Sequence, residues 1–192
     1  MAWFGHKAQG HGFLTSAALV LVSLVPTGCG RGMHEPSSSV KLDVRISNFR
    51  DGLIPKSNTC DGGGASPELS WSEAPAGTKS FAITATDENS LFGYGFVHWV
   101  LYNLPPSTRQ IPEAMGKQEQ LPDGSRQGIN DNDGIGYMGP CPPGKSFHKY
   151  DFVVYAVDTT LNLPSPATKK QLLQALRGHV LAKGDVEGRY RR

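Results

Sequence analysis

The sequence carries little excess charge of either sign. Its 192 residues include 19 Lys and Arg against 17 Asp and Glu, a formal net charge of +2. The only basic cluster is at the end of the chain, at Arg189, Arg191 and Arg192. Binding to nucleic acid needs a concentrated basic face. The sequence therefore predicts no nucleic-acid partner.

The sequence also lacks a hydrophobic run that would span a membrane comfortably. Its most apolar stretch, FLTSAALVLVSLV at residues 13–25, is shorter than the about 20 residues that a spanning helix needs. A weakly basic start precedes this stretch and the small residues of PTGCG follow it, which is the arrangement of a secretory signal peptide. We therefore predict that residues 1–29 are a signal peptide and that the protein is exported to the cell envelope or periplasm.

The end of this leader is similar to a bacterial lipoprotein processing site. Thr27 and Gly28 precede Cys29, although Pro26 stands where such sites usually have an aliphatic residue. Lipidation of Cys29 would anchor the protein to the membrane by two acyl chains. Plain secretion and a misassigned start codon stay open as alternatives. Residues 30–39, GRGMHEPSSS, are polar and Ser-rich and are predicted to form a flexible tether.

Cysteine is scarce. The chain has three, and Cys29 belongs to the leader, which leaves Cys60 and Cys141 in the folded part. Their spacing fits no zinc motif. In an oxidising compartment such a pair indicates a disulfide, with two separate buried thiols as the alternative.

Glycine and proline, in contrast, are abundant. The 23 glycines and 14 prolines fall between short apolar runs, a pattern that indicates strands joined by turns. Residues 41–46 alternate strictly and predict a half-buried strand. A further strand is predicted to end at Asp87. Residues 96–105 and 150–158 are apolar on both faces and are predicted to be central strands of a sheet.

One helix is predicted near the C-terminus, within residues 165–179. Thr168 and Gln171 have the spacing of a capping box, and Gly178 suits a left-handed helix end. The apolar stripe of this helix consists of Leu172, Leu173 and Leu176. A turn at Lys183-Gly184 and a short terminal strand are predicted to follow. Residues 109–136 are polar and Gly-rich and are predicted to be a long surface loop, a feature that is often functional.

Polar side chains interrupt the predicted central strands. His98 lies inside one strand, on the face predicted to hold Phe96, Val100 and Tyr102. His148 and Tyr150 are two residues apart, so they share one face of the next strand. The ends of these strands can bring the three side chains together at the opening of one pocket, beside Asp87.

The loop before His148 is suited to form a wall of that pocket. It contains Gly139, Cys141 and Pro142, and the amides of such loops can bind anions. With two imidazoles and a phenol, these groups predict a small anionic ligand, a phosphate or a carboxylate. Asp87 would then orient a histidine.

Other interpretations of these residues stay open. A single strand histidine is often a hydrogen-bonded core group. Two histidines and a carboxylate can hold a metal, but no H-x-H spacing occurs, so no metal or other cofactor is predicted. A Ser-His-Asp hydrolase lacks the G-x-S-x-G elbow. Asp131 and Asp133 form half of a calcium loop without its closing Glu, which favours a solvated turn.

The motifs SPELSW, TDENS, VHWVLYNLP, GPCPPGKSFHKYDFVVYAVD and GHVLAKGDVEGRYRR occur in this order. Together they resemble the phosphatidylethanolamine-binding protein family, in particular its bacterial, Raf-kinase-inhibitor-like branch. The resemblance runs from about Val40 to the C-terminus. It implies a mainly β domain over residues 40–192, an antiparallel β-sandwich with a few short helices and an anion-binding pocket at one end.

The resemblance also assigns the pocket residues. The family's pocket acid corresponds to Asp87, its strand histidine to His98, its Gly/Pro loop to residues 139–143, and its H-x-Y pair to His148 and Tyr150. This chain departs from the T-D-P-D-A-P motif, since Glu88 replaces the first Pro and Asn89 the second Asp. Losing a carboxylate disfavours recognition of an amine.

The resemblance implies a non-enzymatic protein that binds a phosphate, a phospholipid headgroup or a carboxylate. An inhibitor or regulator of a kinase or peptidase is the alternative, with the pocket rim and residues 109–136 as its partner surface. A small hydrolase is a further alternative.

Overall fold

The strands form two antiparallel sheets. The computed structural model describes residues 1–5, 35–90 and 95–192. The smaller sheet has the order β1-β2-β5, with β1 at Val44–Arg45, β2 at Leu69–Trp71 and β5 at Gln110–Ile111. The larger has the order β6-β4-β3-β7-β8, with β3 at Ser80–Asp87, β4 at Phe96–Leu104, β6 at Arg126–Gln127, β7 at His148–Val157 and β8 at Val180–Tyr190. A 3-10 helix, Lys56–Asn58, and one α-helix, α1 at Lys169–Ala175, complete the described elements.

The larger sheet is buried on both of its faces. One face packs against the smaller sheet, and this core includes Trp71, Phe81, Trp99 and Phe152. The opposite face packs against α1 in a second core of Ala82, Val100, Tyr102, Val153, Tyr155, Leu172, Leu173 and other apolar residues. A strand that is buried on both faces has apolar residues at nearly every position. This explains the composition of β3, β4 and β7. The predicted mainly β, antiparallel sandwich is confirmed.

The predicted C-terminal helix is confirmed with its cap. The Thr168 side chain accepts a hydrogen bond from the backbone N–H of Gln171, and the Gln171 side chain accepts one from the backbone of Thr168. Gly178 has a φ of 79°, the left-handed conformation that ends the helix region. The buried leucines of α1 fix the position of the helix on the sheet.

Two predictions about local structure are wrong. The predicted strand over residues 41–46 is reduced to Val44–Arg45, although its inward face is buried as expected. The predicted turn at Lys183-Gly184 lies inside the continuous strand β8. A Cβ at Gly184 would lie 2.2 Å from the carbonyl oxygen of Leu42. Glycine is therefore needed here for a close backbone approach and not for a turn.

Residues 109–136 are mostly irregular and half of them are exposed, as predicted, but the segment is anchored in the fold at several points. The segment contains β5 and β6, and Gln127 is completely buried. The Gln127 Oε1 atom accepts a hydrogen bond of 2.9 Å from Trp99 Nε1, and its Nε2 donates to the carbonyls of Gly116 and Gln118. Some polar residues of this segment therefore satisfy buried partners. Others, within 112–114, 116–118 and 131–133, are exposed and remain available as the predicted surface.

Part of the predicted tether lies against the domain. Residues 35–39, predicted to belong to a flexible tether, contact the domain, and Ser38 Oγ donates a hydrogen bond of 2.9 Å to the carbonyl of Leu181. The predicted signal peptide core and Cys29 lie outside the described residues. Within residues 1–5, 35–90 and 95–192, no helix has the length and hydrophobicity to cross a membrane.

Candidate functional site

A cavity of about 290 Å³ opens at one end of the larger sheet. Strand β3 ends there at Asp87, and its antiparallel neighbours β4 and β7 begin there. Antiparallel pairing thus places the end of one strand beside the starts of two others. The cavity is lined by Asp87, Ser90, Phe96, His98, Met138, Cys141, Pro142, Pro143 and His148.

Asp87 and His148 form an ion pair or hydrogen bond across β3 and β7. Asp87 Oδ2 lies 2.7 Å from His148 Nδ1, and both side chains are about nine-tenths buried. The other carboxylate oxygen, Oδ1, accepts a hydrogen bond from the backbone N–H of Asn89. The carboxylate therefore fixes the His148 ring, and His148 Nε2 has no hydrogen-bond partner among the described residues.

A β-bulge aims His98 at the same cavity. Ala85 pairs with Trp99, but the next residue of β3, Thr86, pairs with Val97. His98 is therefore the extra residue of a β-bulge. The bulge reverses the alternation of β4. The predicted face is right for Phe96, which lines the cavity with His98. It is wrong for Val100 and Tyr102, which belong to the core beside α1, whereas the His98 ring packs on the opposite side of the sheet.

The hydrogen bonds of His98 determine which ring nitrogen faces a ligand. His98 Nδ1 lies 2.7 Å from the carbonyl oxygen of Met138. Because a carbonyl only accepts, Nδ1 carries the hydrogen and Nε2 has the free lone pair in the neutral ring. Burial lowers the pKa of His98, an effect that the Met138 carbonyl and the Asp87 carboxylate offset in part. His98 is therefore neutral at neutral pH.

A disulfide holds the loop that forms one wall. Cys60 and Cys141 are bonded, with their Cα atoms 5.5 Å apart. The backbone N–H of Cys60 also donates a hydrogen bond of 3.1 Å to the carbonyl of Pro140. Gly139 packs behind this wall, where a Cβ would lie 2.9 Å from the carbonyl carbon of Thr59. Gly139 therefore supports the wall and does not line the cavity.

Tyr150 lies beneath the cavity. Its ring meets the His98 ring edge-on, with 5.2 Å between the centroids. Its hydroxyl is buried and has no hydrogen-bond partner in the described part of the chain. Burial raises the pKa of Tyr150, and the nearby Asp87 carboxylate raises it further, although no hydrogen bond of normal geometry joins the two. Tyr150 thus positions His98.

The structure brings five of the seven predicted ligand-binding residues to the cavity: Asp87, His98, Cys141, Pro142 and His148. Gly139 and Tyr150 lie behind its walls. The sequence reasoning missed Ser90 and Met138. The Ser90 Oγ atom is buried without a partner in the described chain, and its place in the TDENS motif, three residues after Asp87, was the available signal.

The arrangement can bind a ligand without a metal. Among residues 1–5, 35–90 and 95–192, no group of three or more His, Cys, Asp or Glu side chains is placed to hold one. In the turn that contains Asp131 and Asp133, predicted to be solvated, both residues are exposed, and Asp131 Oδ2 accepts a hydrogen bond from the backbone N–H of Val97. The cavity offers two imidazole nitrogens, one hydroxyl and one carboxylate within mainly apolar walls.

Several known proteins are similar to this chain in sequence and in fold. The family model for phosphatidylethanolamine-binding protein matches residues 46–191. A UPF0098 protein of Methanothermobacter thermautotrophicus is 41% identical over 152 residues, which cover 79% of this chain and 99% of the relative. A UPF0098 protein of Aquifex aeolicus is 40% identical over 154 residues, which cover 79% of this chain and 89% of the relative.

Crystal structures agree with these sequence matches. Escherichia coli YbcL, described as a member of the mammalian PEBP family, superposes with a TM-score of 0.73 and 31% identity, over 80% of this chain and 99% of YbcL. A phosphatidylethanolamine-binding protein homologue from Chlamydia trachomatis gives a TM-score of 0.70 and 33% identity, over 80% of this chain and 99% of the homologue. The chain belongs to the phosphatidylethanolamine-binding protein family.

Proposed function

We propose that the cavity reversibly binds a small phosphate-bearing or carboxylate-bearing ligand and performs no covalent chemistry. One observation carries this proposal: His98 and His148 both use Nδ1 for contacts within the chain. Each ring therefore has only its Nε2 atom left for a ligand, and both rings line the same cavity.

Each histidine has a distinct part in binding an anion. When His148 is protonated, its Nδ1–H donates to Asp87 and its Nε2–H donates to the ligand. Neutral His98 accepts a hydrogen bond at Nε2 from a protonated ligand oxygen. The unpartnered hydroxyl of Ser90 supplies a further donor, since a buried polar group without a partner is destabilising until a ligand satisfies it.

The cavity fits the charged group of a ligand better than a whole lipid. Its volume of about 290 Å³ is at the lower limit of small-molecule pockets, which hold about 300–1,000 Å³. The amide of Asn89 does not line it, because Asn89 Oδ1 accepts a hydrogen bond of 2.8 Å from the backbone of Lys149. Asn89 therefore gives the cavity no second carboxylate that could bind an amine. The cavity recognises the phosphoryl or carboxyl group of the ligand.

A thermal-shift titration with phosphate, phosphoethanolamine and citrate tests the proposal. His148→Ala should lose the rise in Tm that phosphate gives to the wild type. The matched control is His179→Ala, which breaks an exposed His179–Asp158 pair of 2.8 Å outside the cavity and should respond like the wild type. Equal responses of wild type and His148→Ala would overturn the proposal.

A hydrolase is the second candidate, because Ser90 shares the cavity with the Asp87–His148 pair. These are the residue types of a Ser-His-Asp triad. However, Ser90 Oγ forms no hydrogen bond to His148 in the described chain, so its nucleophilicity is not raised by the histidine. A fluorophosphonate probe should leave the protein unlabelled, and stoichiometric labelling at Ser90 would favour the hydrolase.

The cellular location is also a proposal. We infer from the leader sequence that the protein is exported and that Cys29 is a candidate for lipidation. Metabolic labelling with a fatty acid in a bacterial host should modify the wild type and spare Cys29→Ser. Export without label would favour plain secretion.

A further inference from the structure

A second cluster of charged groups lies on the face of the larger sheet that packs against α1. Its centre is Lys169, which is only 8% exposed. The Lys169 Nζ atom donates a hydrogen bond of 2.7 Å to Thr86 Oγ1 and lies 2.9 Å from Glu35 Oε1. A buried ammonium group is strongly destabilising unless it is paired, so this lysine requires an anion at that position.

Two further donors converge on the same carboxylate. Glu35 Oε2 accepts a hydrogen bond of 2.6 Å from the Tyr155 hydroxyl and one of 2.8 Å from Lys183 Nζ. Tyr155 lies on β7, Lys183 on β8 and Lys169 on α1. Burial alone would raise the pKa of Glu35, but Lys169, Lys183 and Tyr155 lower it to about 2. The carboxylate is thus ionised at physiological pH.

No other acid in the described chain pairs with these two lysines. Asp151 and Asp185 are close to the cluster, yet neither forms an ion pair with Lys169 or Lys183. Burial raises the pKa of Asp151 to about 6, with Asp185 and Glu35 contributing. Among the described residues, Glu35 is thus the carboxylate in direct contact with Lys169 and Lys183.

The site and its occupant come from different parts of the chain. The three donors lie inside the matched family domain, residues 46–191, whereas Glu35 precedes it. Glu35 is separated from Tyr155 by 120 positions and from Lys183 by 148. The folded domain thus provides a preformed carboxylate site, and the preceding segment provides the carboxylate.

We propose that Lys169, Lys183 and Tyr155 form a carboxylate-binding site, distinct from the cavity at Asp87, that holds the N-terminal segment on the domain through Glu35. When the Glu35 carboxylate is absent, the site binds a small free carboxylate such as acetate. The donors explain this class of ligand, because two ammonium groups and a phenol present hydrogen bonds to two oxygens of one planar group.

Chemical rescue of a full-length variant tests this site. Glu35→Ala removes CH2–COO⁻ from the side chain, so acetate has the shape of the missing part. We expect Glu35→Ala to lower the Tm by about 5 °C or more, as the loss of one partner of a buried ion pair does. Acetate should then restore most of this loss, whereas the wild type should change little.

Two controls make the test specific. Pivalate has the same charge as acetate, but its tert-butyl group is larger than the methylene that the variant lacks, so it should rescue less than acetate. Glu187→Ala removes an exposed carboxylate that pairs with Lys149 at 3.2 Å, and its Tm should not depend on acetate. Equal effects of acetate and pivalate on Glu35→Ala, or an unchanged Tm in that variant, would overturn the proposal. Loss of rescue on adding Lys183→Met would support it.

Discussion

Asp87 Oδ2 and His148 Nδ1 are 2.7 Å apart, although the two residues are separated by 61 positions in the chain. The pairing of β3 with β7 places Asp87 opposite Tyr150, two residues from His148. The contact therefore depends on strand register, and it aims the remaining nitrogen of His148 at the cavity.

Replacing this carboxylate should weaken ligand binding. In Asp87→Asn, the amide keeps its oxygen on the Asn89 N–H and can turn its NH2 towards His148 Nδ1. The carboxylate charge behind the ring is then lost, so the hydrogen bond from His148 Nε2–H to the anion is no longer charge-assisted. A hydrogen bond to a charged group contributes about 1.5–3 kcal/mol, and we expect phosphate affinity to fall about tenfold or more by isothermal titration calorimetry. Asp158→Asn, which alters the exposed pair with His179, is the control. Tighter binding in Asp87→Asn would show that the Asp87 charge opposes the ligand.

Anion binding should strengthen as the pH falls. Burial lowers the pKa of His98, so the ring is neutral at neutral pH and gains its proton only as the pH falls through that lowered value. Sulfate does not titrate near neutral pH, so a change in its affinity reports on the protein and not on the ligand. We expect sulfate affinity to rise as the pH falls, because protonated His98 donates to the anion from Nε2 whereas the neutral ring does not. His98→Gln should flatten this dependence, and an unchanged slope in that variant would contradict it.

Glu35 should make the domain sensitive to acid. Its pKa falls from 4.5 to about 2 on folding, so its contribution to stability is present above pH 4.5 and is lost as the pH falls towards about 2. A shift of this size corresponds to about 3 kcal/mol at most. Urea unfolding of wild type and Glu35→Gln should therefore converge as the pH approaches about 2. A constant difference between the two across this range would count against the ion pair.

Removing the disulfide should affect both stability and binding. The bond closes a long loop, since Cys60 and Cys141 are separated by 81 positions, and its loss typically costs about 2–5 kcal/mol in the free energy of unfolding. The Cys60→Ser, Cys141→Ser double variant should also bind phosphate more weakly, because Cys141 lines the cavity. Reduced wild type should behave like the variant. Full phosphate affinity without the bond would show that backbone contacts hold the wall alone.

The architecture and some of the residues that line the cavity could be predicted from the sequence. Continuous apolar runs identified β3, β4 and β7, because a sheet buried on both faces needs apolar residues at every position. The polar residues that interrupt these runs, Asp87, His98 and His148, line the cavity.

The features that were missed depend on long-range geometry. The bulge that turns His98 is a register shift between β3 and β4. It depends on how the two strands pair, so neither strand's sequence indicates it. Gln127 looked like a surface residue because its buried partners are remote in the sequence. Gly184 looked like a turn residue because the carbonyl of Leu42, which passes close to it, belongs to a segment far away in the chain.

The attachment of Glu35 to the domain sets how far the domain can stand from a membrane anchor. If the chain were free up to Ser38, which bonds the Leu181 carbonyl, a lipid on Cys29 would lie up to about 30 Å from the first docked residue, at about 3.6 Å per residue. With Glu35 docked on Lys169 and Lys183, that reach falls to about 20 Å. A lipidated form would therefore keep its first docked residue within that distance of the bilayer, whereas a variant without Glu35 would sweep a volume several times larger.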